Sequence, residues 1–206
     1  MTDPRTATDP QLKAALQAWY CATADRNKAF EDAMQIRAAL RDTTSHRAFG
    51  WASLTCGRIA AHRHQVELAE VSLAEALGRL QLARDEYGEA MARSHLAIPH
   101  ITRRDLDRAL ELASNHLSLT IQFSDYDKRL LHNNLAECHW ARDEPFDAAM
   151  HLVKAYEMVS NTDDFATRSA IMINLGAVLL ILEEWDLSLA ASMEASRLLS
   201  AHPHDH

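Results

Sequence analysis

Small residues return along this chain at a nearly constant step: Gly57, Ala97, Ala136 and Gly176 stand 40, 39 and 40 residues apart. A fixed period of that length marks a repeat architecture, in which each unit is one supersecondary element unable to bury its apolar face alone. Other columns keep the step. An apolar residue follows nine positions later at Val66, Leu106 and Trp185, and ten later at Phe146. Twelve positions after each small residue come Ala69, Ala109, Ala148 and Ser188, and nineteen after come Ala76, His116, Ala155 and Ala195. Small side chains in register predict places where two helices approach closely. Tyr87, Tyr126 and Phe165 are also 39 apart, and each lies beside acidic residues, as in Asp85-Glu86, Asp125 and Asp163-Asp164. These read as helix starts, where acidic groups complement the helix dipole. Ser124 and Asp127 have the spacing of a capping box, and Pro145 suits a first helical turn, where its missing N–H costs nothing.

The repeated element is helical. Five Gly and five Pro in 206 residues, with Ala, Leu, Arg and Glu abundant, favour long helices over turn-rich β structure. The periodicity predicts an all-α chain with helices over 10–24, 26–41, 46–62, 66–83, 86–101, 105–122, 125–142, 146–160, 164–182 and 185–200. They pair into about five hairpins. The organisation read from this is a flexible N-terminus over 1–9, a degenerate capping hairpin over 10–45, four clear hairpins over 46–200 and a flexible His-rich tail over 201–206. Atypical terminal units are expected of repeat arrays, because an end unit faces water on one side.

The segments Asn134-Leu135-Ala136 with Phe146, Ala148, Ala149 and Ala155, and Asn174-Leu175-Gly176 with Trp185 and Ala195, resemble tetratricopeptide repeats. The resemblance covers roughly residues 46–200, with a period near 40 in place of the ~34 of the common form. Lengthened repeats of this kind are similar to the helical arrays of bacterial regulators, including peptide-sensing regulators and the sensor segments of diguanylate cyclases. The resemblance implies a right-handed α-solenoid that binds protein or peptide ligands in a regulatory or scaffolding role. It also implies which residues face the ligand, since the first helix of each tetratricopeptide hairpin lines a concave groove.

Carried across position by position, the groove comprises Trp51, Leu54, Arg58 and His62 in the first clear hairpin and Met91, Ser94, Ile98 and Ile101 in the second. The third contributes Leu130, Asn133, Glu137 and Trp140, and the fourth Ala170, Ile173, Ala177 and Leu180. Such a groove suits an amphipathic helix or an extended peptide. The same residues could equally fill the superhelix core, because apolar stripes at helical spacing are usually core. The lysine-rich carboxylate clamp of chaperone-binding relatives is not matched.

Several other classes are disfavoured. A net charge of −8, with Arg scattered among acidic residues, argues against a nucleic-acid partner. The start Met1-Thr2-Asp3-Pro4 is unlike a secretory signal, and the longest apolar run, Ala177 to Leu182, falls short of the ~20 residues a membrane helix needs. A cytoplasmic protein with no membrane contact is expected. Cys21, Cys56 and Cys138 are far apart without a CxxC, so buried reduced thiols are expected. Twelve histidines raise the alternative of a small enzyme or metal protein, but His62, His64, His95, His100, His132 and His139 lack ligand spacing, and solvated or packed imidazoles are the expectation. The tail His202-Pro203-His204-Asp205-His206 could bind a divalent ion weakly. With no phosphate loop, G-x-S-x-G or H-E-x-x-H, neither cofactor nor catalysis is expected. The last helix is under-charged for an end unit: Leu187, Leu189, Met193 and Leu198 stand among only Asp186, Glu194 and Arg197. A second copy, a partner or a downstream domain is expected to cover it, the last as in a sensor segment of a larger signalling enzyme such as a diguanylate cyclase.

Overall fold

The structure is a computed structural model and describes residues 8–114 and 123–201. His116, most of the N-terminal stretch and the histidines of the tail lie outside the described residues. The chain divides into two compact units, residues 1–116 and 117–206. Every regular element among the described residues is an α-helix.

The first unit holds α1 (Pro10–Cys21), α2 (Arg26–Leu40), α3 (His46–His62), α4 (Val66–Leu82), α5 (Glu86–Thr102) and α6 (Leu106–Ser114). Acidic side chains start three of them. Asp9 Oδ1 accepts from Gln11 N at 2.9 Å, Asp25 Oδ1 from Lys28 N at 2.9 Å and Asp85 Oδ1 from Gly88 N at 3.0 Å, each satisfying an amide that has no partner within its helix. The hairpins close over Trp19, Trp51, Phe49, Leu73 and Leu80, all fully buried. Gly57 explains its column: a Cβ there would stand 2.5 Å from Leu73 Cγ and 3.1 Å from the Leu73 amide nitrogen of α4. Cys56 is buried as expected, whereas Cys21, the last residue of α1, is exposed.

The second unit holds α7 (Asp125–Ala141), α8 (Pro145–Glu157), α9 (Phe165–Ile181) and α10 (Trp185–Ala201). Ser124 Oγ accepts from Asp127 N at 3.2 Å, Asp164 Oδ1 from Thr167 N at 3.0 Å, and Pro145 sits in the first turn of α8. The core collects Ala136, Ala148, Leu152, Ala155, Ile171, Leu175 and Val178. Ser188 stays polar in the small column because its Oγ donates to the Gly176 carbonyl at 2.8 Å.

The turn inside each clear hairpin repeats the period in its backbone. His64, Arg104, Asp143 and Glu183 have φ of 57°, 63°, 62° and 62°, so the left-handed residue recurs with the same steps of 40, 39 and 40 as the small column. The next amide then reaches back five residues: Gln65 N to Ala60 O, Asp105 N to His100 O, Glu144 N to His139 O and Glu184 N to Leu179 O, at 2.9–3.0 Å. This is the Schellman closure, which normally carries glycine at the left-handed position. Here L-residues bear the steric strain. Arg104→Gly is therefore expected to raise stability by ~0.5–1 kcal/mol, since relief of left-handed strain exceeds glycine's extra unfolded-state entropy. Thermal melts compare the two, and a lowered midpoint would contradict the strain argument.

Candidate functional site

The groove positions carried over from the resemblance meet different fates in the two units. In the first unit, Trp51, Met91, Ser94 and Leu54 are wholly buried and Arg58 nearly so. They pack inside the unit and offer no surface to a partner. Trp19, near the end of α1, covers two of them, Trp51 and Arg58. Its ring meets Trp51 of α3 edge-on at 5.5 Å and His95 of α5 edge-on at 5.5 Å. The Arg58 guanidinium lies 4.1 Å from the Trp19 ring centre, and its Nη2 donates to the Trp19 carbonyl at 3.2 Å. The hairpin that matches the repeat least thus supplies the plug. His62 is exposed and Ile98 half-buried.

The second unit keeps an open cleft of about 310 Å³ between α7, α8 and α9. Asn133, Glu137 and Trp140 of α7 line it with Asn174, Ala177 and Val178 of α9 and Leu152 of α8. A helix brings residues three and four apart to one face, which is why Asn133, Glu137 and Trp140 converge. Asn133 Nδ2 donates to Glu137 Oε1 at 3.1 Å, while Trp140 stays 46% exposed. Burial pushes the Glu137 carboxyl up to about 7, with the Asn133 hydrogen bond pulling the other way. Beside it, burial and the Glu137 charge push the Cys138 thiol up to about 12, so that sulfur is not a nucleophile. Ile173 is 52% exposed on α9 but is not part of the cleft lining. Asn174, nominated only as part of the repeat motif, is the polar residue the groove positions missed; it stands one place beyond Ile173.

Behind this cleft the histidines are packed against one another. His132 Nδ1 and His151 Nδ1 are 3.0 Å apart with rings stacked at 5.2 Å, and the His139 ring stacks on His151 at 5.4 Å. Burial first, then the neighbouring imidazoles and Lys154, holds His151 down to about 4, and burial also lowers His132. At neutral pH the pair is uncharged, one ring donating to the other. No local spacing announces this cluster. The signal is a shared centre: the pairs His132 and His151, and His139 and Glu144, are both centred between Ala141 and Arg142, at the end of α7. Ligand-type atoms of His139, Glu144 and Asp147 come within 4.8 Å of one another. Glu144 already accepts from His139 at 2.7 Å and from Arg142 Nε at 2.9 Å, so the group is assigned as an ion-pair network at the turn.

On α10, Leu187, Leu189 and Met193 are more than half exposed. Leu198 is not: it is 1% exposed, because it falls on the face of α10 that packs on α9, and it cannot contribute to an outer contact. Leu187 also lines a shallow hollow of about 840 Å³ with Phe146, Met150 and Val153 of α8. No helix among the described residues is long and apolar enough to cross a membrane.

No family model matches the chain, and no curated protein gives a significant match. Solved structures do. A crystal structure of a Podosopora anserina putative kinesin light chain with nearly identical TPR-like repeats superposes with a TM-score of 0.58 at 13% identity, covering 99% of this chain and 100% of that one. Its Q17M variant superposes with a TM-score of 0.60 at 13% identity, covering 98% and 99%. The chain therefore has the fold of a TPR-like helical repeat array.

Proposed function

We propose that this chain is a non-catalytic protein- or peptide-binding module of regulatory or scaffolding type, acting in the cytoplasm and engaging its ligand through the α7–α9 cleft. The observation that carries the reading is that cleft: hydrogen-bonding side chains with an exposed indole, set in an apolar wall, on the helices whose equivalents face the ligand in tetratricopeptide arrays. Among the described residues the Asn174 side chain and the Trp140 indole have no hydrogen-bond partner. Open amides next to an aromatic anchor are what an extended backbone requires of its receptor. Residues 10–45 are read as a capping hairpin and 46–200 as the four repeat hairpins, of which those of the second unit line the cleft.

The test is affinity capture from native lysate by the full chain and by an Asn133→Ala/Trp140→Ala/Asn174→Ala variant with an unchanged circular dichroism spectrum. Proteins retained by the wild type and lost by the variant are expected. A variant that retains every one of them contradicts the reading.

The exposed Leu187, Leu189 and Met193 favour a second reading, in which the chain is the regulatory segment of a larger signalling enzyme such as a diguanylate cyclase and α10 packs on the output domain or on a second copy. A stop codon directly after His206 in the reading frame removes the output-domain form. Unchanged mass of a Leu189→Glu variant in light scattering removes the homodimer form.

A further inference from the structure

We propose that the α7–α9 cleft is a pocket for a basic side chain, lysine or arginine, of a bound polypeptide, with the Glu137 carboxylate as its counter-ion and the Trp140 ring as its wall. This deepens the peptide-binding reading of the same cleft and rests on it. Glu137 is a half-buried carboxylate in the cleft wall with no cation beside it among the described residues. Its hydrogen-bond partner among the described residues is the Asn133 amide, and no basic group there pairs with it. The rest of the lining is Ala136, Leu152, Ala177, Val178 and the open amide of Asn174. A desolvated carboxylate is stabilised most by an opposite charge, so the occupant the site favours is a cation.

No other charged group on the packed elements lines the cleft among the described residues. On α8, His151 stacks between His132 and His139, and Lys154 lines the separate hollow with residues of α9 and α10. On α7, His139 is held by Glu144, and α9 presents no charged residue to the cleft. Just beyond α7, Arg142 is likewise held by Glu144.

Trp140 makes the same argument from the aromatic side. Elsewhere the chain sets an arginine over an aromatic ring repeatedly: Arg58 over Trp19, Arg63 over Phe30, Arg79 over Phe49 and Arg168 over Phe165, at 4.1–5.6 Å. Trp140 is half exposed, borders the carboxylate and has no such cation among the described residues. An indole face with a carboxylate one helical turn away is a two-point receptor for an ammonium or guanidinium group. The chain's charge of −8 adds long-range attraction for a basic segment.

Capped pentapeptides Ala-Ala-X-Ala-Ala, with X lysine, arginine, norleucine or glutamate, titrated into the full chain test the inference. The readout is the Trp140 indole N–H resonance in ¹H–¹⁵N spectra, identified by its loss in Trp140→Phe. The lysine and arginine peptides are expected to bind at least tenfold more tightly than the norleucine peptide. Glu137→Gln is expected to remove that preference. Because the carboxylate must be ionised, affinity for the basic peptides should rise roughly tenfold from pH 6 to pH 8. Norleucine binding as tight as lysine overturns the counter-ion but leaves the cleft as a peptide groove. Undiminished lysine affinity in Glu137→Gln overturns it equally. Silence of the Trp140 resonance to all four peptides also overturns it, and the lysate capture then decides independently whether the cleft binds a protein.

Discussion

Replacing Asp85 with alanine is expected to lower the unfolding midpoint of the first unit by roughly 10 °C, corresponding to ~3–5 kcal/mol. The side chain is 2% exposed and serves three donors. Oδ2 accepts from Trp51 Nε1 at 2.9 Å and from Arg47 Nε at 2.7 Å, while Oδ1 caps α5 through Gly88 N. Losing the cap costs about 1 kcal/mol. Leaving the buried indole N–H without an acceptor costs ~1–3 kcal/mol more, and Arg47 loses its counter-charge. These losses share one site and will not add independently. Asp85→Asn keeps one accepting oxygen but loses the charge and sets an NH2 group against the remaining donor, and should cost roughly half as much. Thermal melts followed by near-ultraviolet circular dichroism, which senses Trp51, measure both. A fall of less than about 3 °C for Asp85→Ala would mean that the network contributes little.

Asp85 also shows where sequence reasoning ends. Its place beside Tyr87 in a column spaced by 39 identifies a helix start, and α5 begins there. Its bond to Trp51, 34 residues earlier, depends on how α3 packs on α5, which no local pattern encodes. The same division runs through the chain. The ten helices among the described residues were legible, because the apolar period and the small column report contacts that every repeat makes alike. Features peculiar to one repeat were not. Trp19 reads as one more apolar residue of a poorly matching hairpin until its ring is seen on Trp51 and His95. Of the groove positions, Asn133, Glu137, Trp140 and Ala177 line an open cleft in the second unit, whereas Trp51, Leu54, Met91 and Ser94 are core in the first. The turns themselves were legible but their left-handed residues were not, because His64, Arg104, Asp143 and Glu183 are not glycine, the usual sign of that conformation.

Replacing Glu137 with glutamine is expected to stabilise the second unit by roughly 2–3 kcal/mol at pH 8 and to make it sensitive to acid. In the folded chain this carboxyl titrates at about 7, against an ordinary value of 4.5. Between those values the native state holds a proton that the unfolded state has released. Stability therefore falls as pH rises from about 4.5 to 7, and above 7 the full penalty of a desolvated charge is present. His151 acts with the opposite sign. Its folded value is about 4 against 6.5, so its contribution is complete above 6.5 and is lost as pH falls toward 4. The two overlap between about 4.5 and 6.5, and the wild type should be nearly flat there. Glutamine keeps the hydrogen bond to Asn133 but removes the Glu137 dependence, leaving the histidine loss unopposed. Urea unfolding at pH 8, 6.5 and 4.5, followed by tryptophan emission, separates the cases. Identical midpoints at pH 8 would show that the carboxylate is solvated after all. A charge that lowers stability without a ligand should also be the one that a ligand relieves. Saturating lysine peptide is expected to stabilise wild type by mass action and the Gln variant far less, narrowing the gap between them at pH 8.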